Sequence, residues 1–227
     1  MRTIGWLCTF MWLACAASAQ ESTAPVIVTT GEGLVRSAPD VAFVTLAVET
    51  RAKSPRDAQR QNAEAIAAIA RRLTELSIPP DARRTTAVAL VEDYDNVNGR
   101  RVSRGFIARN EVEVRVDDIS RAGEVADAVV QAGATSLNGI RFDLKDRSTA
   151  ERQAIRLAVA DARAKADAAA AGAGRNVDRI LKIEEGERAG VPQPMMRTLA
   201  ARAENITVVE PGLIDTRAIV TLTVAMK

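Results

Sequence analysis

Val102-Ser103-Arg104-Gly105-Phe106-Ile107-Ala108-Arg109-Asn110-Glu111-Val112-Glu113-Val114-Arg115-Val116 is the stretch on which the fold turns. Val102, Phe106, Ala108, Val112, Val114 and Val116 recur with period two, and Ser103, Arg109, Glu111, Glu113 and Arg115 stand between them. Successive strand residues point to opposite faces, so this spacing predicts a long antiparallel strand with one dry and one wet face.

Downstream, Asp117 or Asp118 can cap a helix whose buried stripe is Ile119, Ala122, Val125, Ala126 and Val129, with Gly133 as its stop. Ile140, Phe142 and Leu144 alternate with Arg141, Asp143 and Lys145 as another strand. Ser148-Thr149-Ala150-Glu151 reads as a capping box opening a helix that runs to about Ala171, before Gly172 and Gly174. That helix is very rich in alanine, which keeps helix propensity high, allows a close neighbour and buries little area per residue. Val177 to Ile183 is a strand. Glu184 to about Asn205 is irregular, with Gly190, Pro192 and Pro194 beside Met195-Met196. Ile206 to Val209, a turn at Pro211-Gly212, and a strand from Arg217 to Met226 close the chain, with Val220, Leu222 and Val224 on one face.

Upstream, Asn98-Gly99 lies in a polar connection to a strand from Ala87 to Tyr94. Ser54-Pro55-Arg56-Asp57 starts a helix, with Ser54 as N-cap, Pro55 at the first helical position and Asp57 at the positive end of the dipole. Ile66, Ile69, Leu73 and Leu76 give it an apolar stripe, and Ile78-Pro79-Pro80 ends it. Val41 to Thr50 is a strand with Val44, Leu46 and Val48 on one face. Before it, across the turn signal Pro39-Asp40, Val26 to Thr30 forms a strand that Gly31-Glu32-Gly33 interrupts and Leu34 to Arg36 resumes. These two strands are expected to form a β-hairpin, and the glycines to mark a bulge or a close backbone approach, with the bulge preferred.

The expected order is β-β-α-β-β-α-β-α-β-β. Paired strands with helices between the pairs indicate an α+β fold of mainly antiparallel sheets with helices packed on one side. A division into two sub-domains meeting near Pro79-Pro80 stays open.

The first residues read as a secretory signal peptide over 1–19: Arg2, an apolar run from Ile4 to Ala16, and a small-x-small cleavage site at Ala17-Ser18-Ala19. The run is roughly 13 residues, short of the ~20 that span a bilayer core. The weaker alternative, Cys15 as a lipid-modified cysteine, meets Trp12 where a lipobox normally has Leu. Cys8 and Cys15, the chain's 2 cysteines, both fall in this segment, so the exported chain is expected to fold without disulfides. No later segment is apolar and long enough to span a membrane.

With 0 histidines, the chain can build no Ser-His-Asp triad, Cys-His pair or histidine-based zinc site. Only carboxylate, Ser-Lys or Tyr chemistry remains. A net charge of +2, from 31 basic and 29 acidic residues, gives no electrostatic case for nucleic acid.

Four constellations have both a chemical and a plain reading. Gly31-Glu32-Gly33 lacks the spacing and lysine of a phosphate loop. Asp93, Asp95, Asn96 and Asn98 offer oxygens, but Asn98 and Arg104 fall where a calcium loop needs Gly and an acid, which leaves a solvated hairpin loop. Glu111 and Glu113 share a strand face, yet Arg109 and Arg115 flank them, which favours cross-strand charge pairing over acid–base work. Asp161 and Lys165, four apart on the last helix, can pair on its surface or across subunits. Asp161 and Lys165, together with Met195 and Met196, are the candidate interface residues; no catalytic, cofactor or metal residue is expected.

Thr30-Gly31-Glu32-Gly33, Pro39-Asp40 and the alternating strand ending at Glu49 resemble the N-terminal signature of the SIMPL (DUF541) family. Leu137-Asn138-Gly139-Ile140-Arg141-Phe142 is similar to its I-x-G-I-x-F strand. Ala158-Val159-Ala160-Asp161-Ala162-Arg163-Ala164-Lys165-Ala166 is similar to its A-V-x-D-A-R-x-K-A helix, and Asn176 to Glu185 to the strand that follows. The domain so marked is 20–227. The resemblance implies a periplasmic location with outer-membrane association open, an α+β fold, no established catalysis, no cofactor, links to envelope or oxidative stress, ring-like homo-oligomers and an envelope protein partner. A periplasmic small-ligand or peptide-binding module is the alternative.

Overall fold

A computed structural model describes residues 25–186 and 210–227. Its elements run β1 (Val26–Ser37), β2 (Val41–Ala52), α1 (Pro55–Glu75), β3 (Arg83–Val97), β4 (Arg100–Val116), α2 (Ala122–Gln131), β5 (Ser136–Asp143), α3 (Arg147–Gly172), β6 (Val177–Glu185) and β7 (Ile214–Met226). The fold is α+β, in the element order expected. The strands form two antiparallel sheets, ordered β1-β7-β6 and β3-β4-β2-β5.

β1 and β2 are consecutive but not a hairpin. β1 pairs along its whole length with β7, and β2 lies between β4 and β5 in the other sheet. The turn signal at Pro39-Asp40 carries the chain from sheet to sheet. The two inward faces explain why: that of β1 is built of Gly31 and Gly33, that of β2 of Val44, Leu46 and Val48, and they fit different helices. The four-stranded sheet and its helices are thus inserted between β1 and α3. The chain crosses at Ala38–Asp40 and Leu144–Asp146, where Asp40 donates its amide to the Asp143 carbonyl (3.1 Å) and accepts the Lys145 amide on its carboxylate (2.7 Å). Pro79-Pro80 lies inside this insertion, and Pro80–Ala82 is one 3-10 turn leading into β3.

Nor do the glycines interrupt β1. The register from Val26 opposite Ala225 to Ser37 opposite Ile214 has no bulge. The glycines serve close approach instead: a Cβ at Gly31 would collide with the Ala158 carbonyl and the Ala162 amide of α3, and one at Gly33 with the Ala154 carbonyl. The facing surface of α3 is Ala150, Ala154, Ala158, Ala162, Ala166 and Ala170, one buried alanine every four residues. Such a row is a ridge without height, and the glycine strand lets it settle onto the backbone. Val220, Leu222 and Val224 of β7 complete this layer.

The insertion is packed conventionally. Ile69 and Leu73 of α1 and Val125 and Val129 of α2 lie on Val44, Leu46 and Val48 of β2 and Val112 and Val114 of β4. Both helices cover the same side. α1 is capped as expected, Ser54 Oγ accepting the Asp57 amide (3.1 Å). A buried Asn62 on α1 donates to the carbonyls of Val48 (2.9 Å) and Ala108 (3.0 Å) and accepts from Asn110 (2.9 Å), fastening the helix to two strands. Asp118 caps a 3-10 turn, Ile119–Arg121, ahead of α2.

The start of α3 differs from the expected capping box. Asp146, not Ser148, is the N-cap: its carboxylate accepts the Thr149 amide (3.1 Å) and the Ser148 and Thr149 hydroxyls. A charged acceptor at the positive end of the helix outcompetes a serine hydroxyl. Those two hydroxyls lower its pKa to about 2.

Candidate interaction surface

Among the described residues, each sheet ends in strands that have a neighbour on one side only. Such an edge offers unpaired amides and carbonyls to any other strand, so its treatment bears on what the protein can join.

β1 is an edge, and α3 guards it. Asp161 and Lys165 lie one turn apart and pair at 2.8 Å. Asp161 also accepts the Glu32 amide of β1 (2.9 Å), and Lys165 donates to the Thr30 carbonyl (3.0 Å). Thr30 and Glu32 are two apart, as are the groups an added antiparallel strand would use. Carboxylate and ammonium thus stand in for that strand. The Lys165 ammonium first, and then the Glu32 amide, hold the Asp161 carboxyl below its ordinary range. Both candidate residues therefore have partners within their own chain. Met195 and Met196, and the Ile206–Val209 strand, lie outside the described residues.

β3 is the opposite edge case. It is long, ends the order β3-β4-β2-β5, and joins β4 through a tight turn at Asn98 and Gly99, both at positive φ. On the side covered by α1 and α2, Val88 lies opposite Asn110 and Leu90 opposite Ala108. α1 covers β4 at this level, where Ala108 is 4% exposed, but leaves Val88, Leu90 and, on the other face, Val91 at 70%, 44% and 53%. Apolar shelf and strand edge coincide. Charge along β3 is polarised: Arg83 and Arg84 stand at its start, Glu92, Asp93 and Asp95 near its end. Thr86 is an extra residue between Thr85 opposite Val112 and Ala87 opposite Glu111.

This surface was missed in the sequence, although a signal was there. Alternation lapses at Ala87-Val88-Ala89-Leu90-Val91, which is apolar on both faces in a chain whose next strand alternates.

On the wet face of the same sheet Glu113 is paired across strands as its spacing predicted, whereas Glu111 pairs with Arg109 along β4 itself. Glu113 of β4 accepts from Arg84 of β3 (2.9 Å) and Arg141 of β5 (3.4 Å), Arg109 lies 3.6 Å from Glu111, and Arg115 reaches Asp81 (3.4 Å) and Asp117 (3.5 Å). Arg141 also stacks on the Phe43 ring at 4.2 Å. Asp143, buried at the end of β5, is paired with Arg141 and Arg147. Burial works to raise its pKa, but Arg147, the Leu144 amide and Arg141 together leave it lowered. Among the described residues, no three His, Cys, Asp or Glu side chains gather as a metal would need, and no helix is long and apolar enough to cross a membrane.

Known proteins resemble this chain over nearly its whole length. The family described as SIMPL, "Protein of unknown function (DUF541)", is matched over residues 27–224. The 26 kDa periplasmic immunogenic protein of Brucella melitensis is 28% identical over 222 residues, covering 92% of this chain and 88% of that protein. The protein of Escherichia coli K12 named "Uncharacterized protein YggE" is 24% identical over 199 residues, 86% of this chain and 80% of its own.

Proposed function

This chain belongs to the SIMPL family, and we propose that it is a periplasmic, non-enzymatic protein that works by assembling with copies of itself. The observation that carries this reading is the outer edge of β3: among the described residues it pairs with β4 on one side only and leaves Val88, Leu90 and Val91 exposed, in a chain that guards β1 with a dedicated ion pair. Edges of this kind are costly to leave exposed and are commonly blocked or paired. The periplasmic placement is supported by the name of the Brucella relative and by the signal-like first residues. The non-enzymatic reading is supported by the lack of histidine and by the arginine partners of Glu111 and Glu113. A role in envelope or oxidative stress is supported by the family resemblance alone.

The test is the solution mass of protein purified from the periplasm, by light scattering on a sizing column across a hundredfold concentration range. A discrete mass several times the protomer is expected; a monomer throughout would remove the reading. The open edge also favours a second function, capture of an extended peptide as an added strand. It predicts a monomer that binds such peptides and loses them when Val88 is made charged.

A further inference from the structure

We propose that the partner of the β3 edge is the β3 edge of a second copy, running antiparallel about a two-fold axis at Ala89. The proposal rests on the assembly reading and gives it an address.

Three features of β3 meet in this register. Within a sheet, residues directly opposite point to the same face. With Ala89 opposite Ala89 of the second copy, Val88 lies opposite Leu90 on the helix-covered side, and Ala87 opposite Val91 on the other. The bare apolar residues of each copy cover those of its mate. The centre is alanine, so nothing bulky sits on the axis. The extra residue at Thr86 then matters. Counted in, it carries Arg84 opposite Asp93 of the second copy, both on the wet face, where Arg84 already lies opposite Glu113. Without it, the face of Arg84 would be wrong for that pairing.

Two-fold symmetry repeats every contact, so the basic start of each strand meets the acidic end of the other. A parallel arrangement would set Arg83 and Arg84 beside their own copies. The pairing joins two four-stranded sheets into one of eight. β1 is closed to such pairing by Asp161 and Lys165, whereas β3 carries bare aliphatic residues and a self-complementary charge order.

The experiment uses purified full-length exported protein and measures self-association by sedimentation. Val88→Lys is expected to weaken association by roughly 100-fold while thermal unfolding stays unchanged, because Val88 touches little in its own chain. Arg84→Glu and Asp93→Arg should each weaken it by about 10-fold, and the double exchange should restore it. Ala89→Cys should give a covalent dimer under oxidation or with a short bis-maleimide, where wild type gives none. Wild-type association in Val88→Lys, or no rescue in the double exchange, would overturn the β3 pairing and leave assembly itself standing. A monomeric wild type overturns both.

Discussion

β1 and β3 are both terminal strands of their sheets, and the chain treats them in opposite ways. On β1, Gly31 and Gly33 face the alanine row, so α3 comes near enough for Asp161 and Lys165 to reach the strand backbone. On β3, the covering helix α1 stays over β4 and β2, held there by Asn62, and the edge strand keeps large aliphatic residues largely in the open. The lesson is that whether an edge is closed depends on how near a helix can come, and that nearness is set by small residues on an inward face the edge never shows.

The strongest way to break the contrast is Gly31→Val. The new side chain would press on the backbone of α3, which cannot yield as a side chain could, so a loss at the top of the overpacking range, about 3 kcal/mol or more, is expected in denaturant unfolding. Gly31→Val should also unguard β1 and make the protein aggregate. Leu46→Ala, in the conventionally packed layer, should cost about 3 kcal/mol from lost burial and a cavity, with no change in the β1 edge. Asn62→Ala, which leaves two strand carbonyls and Asn110 with fewer partners, should cost about 2 kcal/mol and loosen α1 over β4.

Acid sharpens the comparison more gently. Asp161 and Asp146 have folded pKa values below their unfolded ones, so each adds stability above the ordinary carboxylate range of ~3.9 and loses it as pH falls through the folded value, about 2 for Asp146. The guard and the cap of α3 should therefore be intact at pH 5 and weaken only below pH ~4. Thermal melts from pH 5 to pH 2 should fall less steeply in Asp146→Asn than in wild type.

Much of this was legible in the sequence. Period two gave β4 and its wet face, Ser54-Pro55 gave the start of α1, and the alternation of Val220, Leu222 and Val224 gave β7. The element order followed from these. What sequence pattern does not carry is the neighbour. Pro39-Asp40 turns the chain but does not say into which sheet, so β1 and β2 looked like a hairpin. Gly31 and Gly33 were compatible with a bulge or a close approach, and only the alanine row of α3, over a hundred residues away, decides between them. Asp161 and Lys165 could be seen to pair with each other, but not to clasp β1. The bareness of β3 depends on where α1 stops laterally, which no local spacing records.

The most direct test is hydrogen exchange at individual amides as a function of protein concentration. The account predicts that the Glu32 amide is protected at every concentration, because its acceptor is Asp161 in the same chain, and that amides of Ala87 to Val91 facing away from β4 gain protection only as the protein associates. A Glu32 amide that exchanges freely, or β3 amides indifferent to concentration in an associating protein, would contradict it.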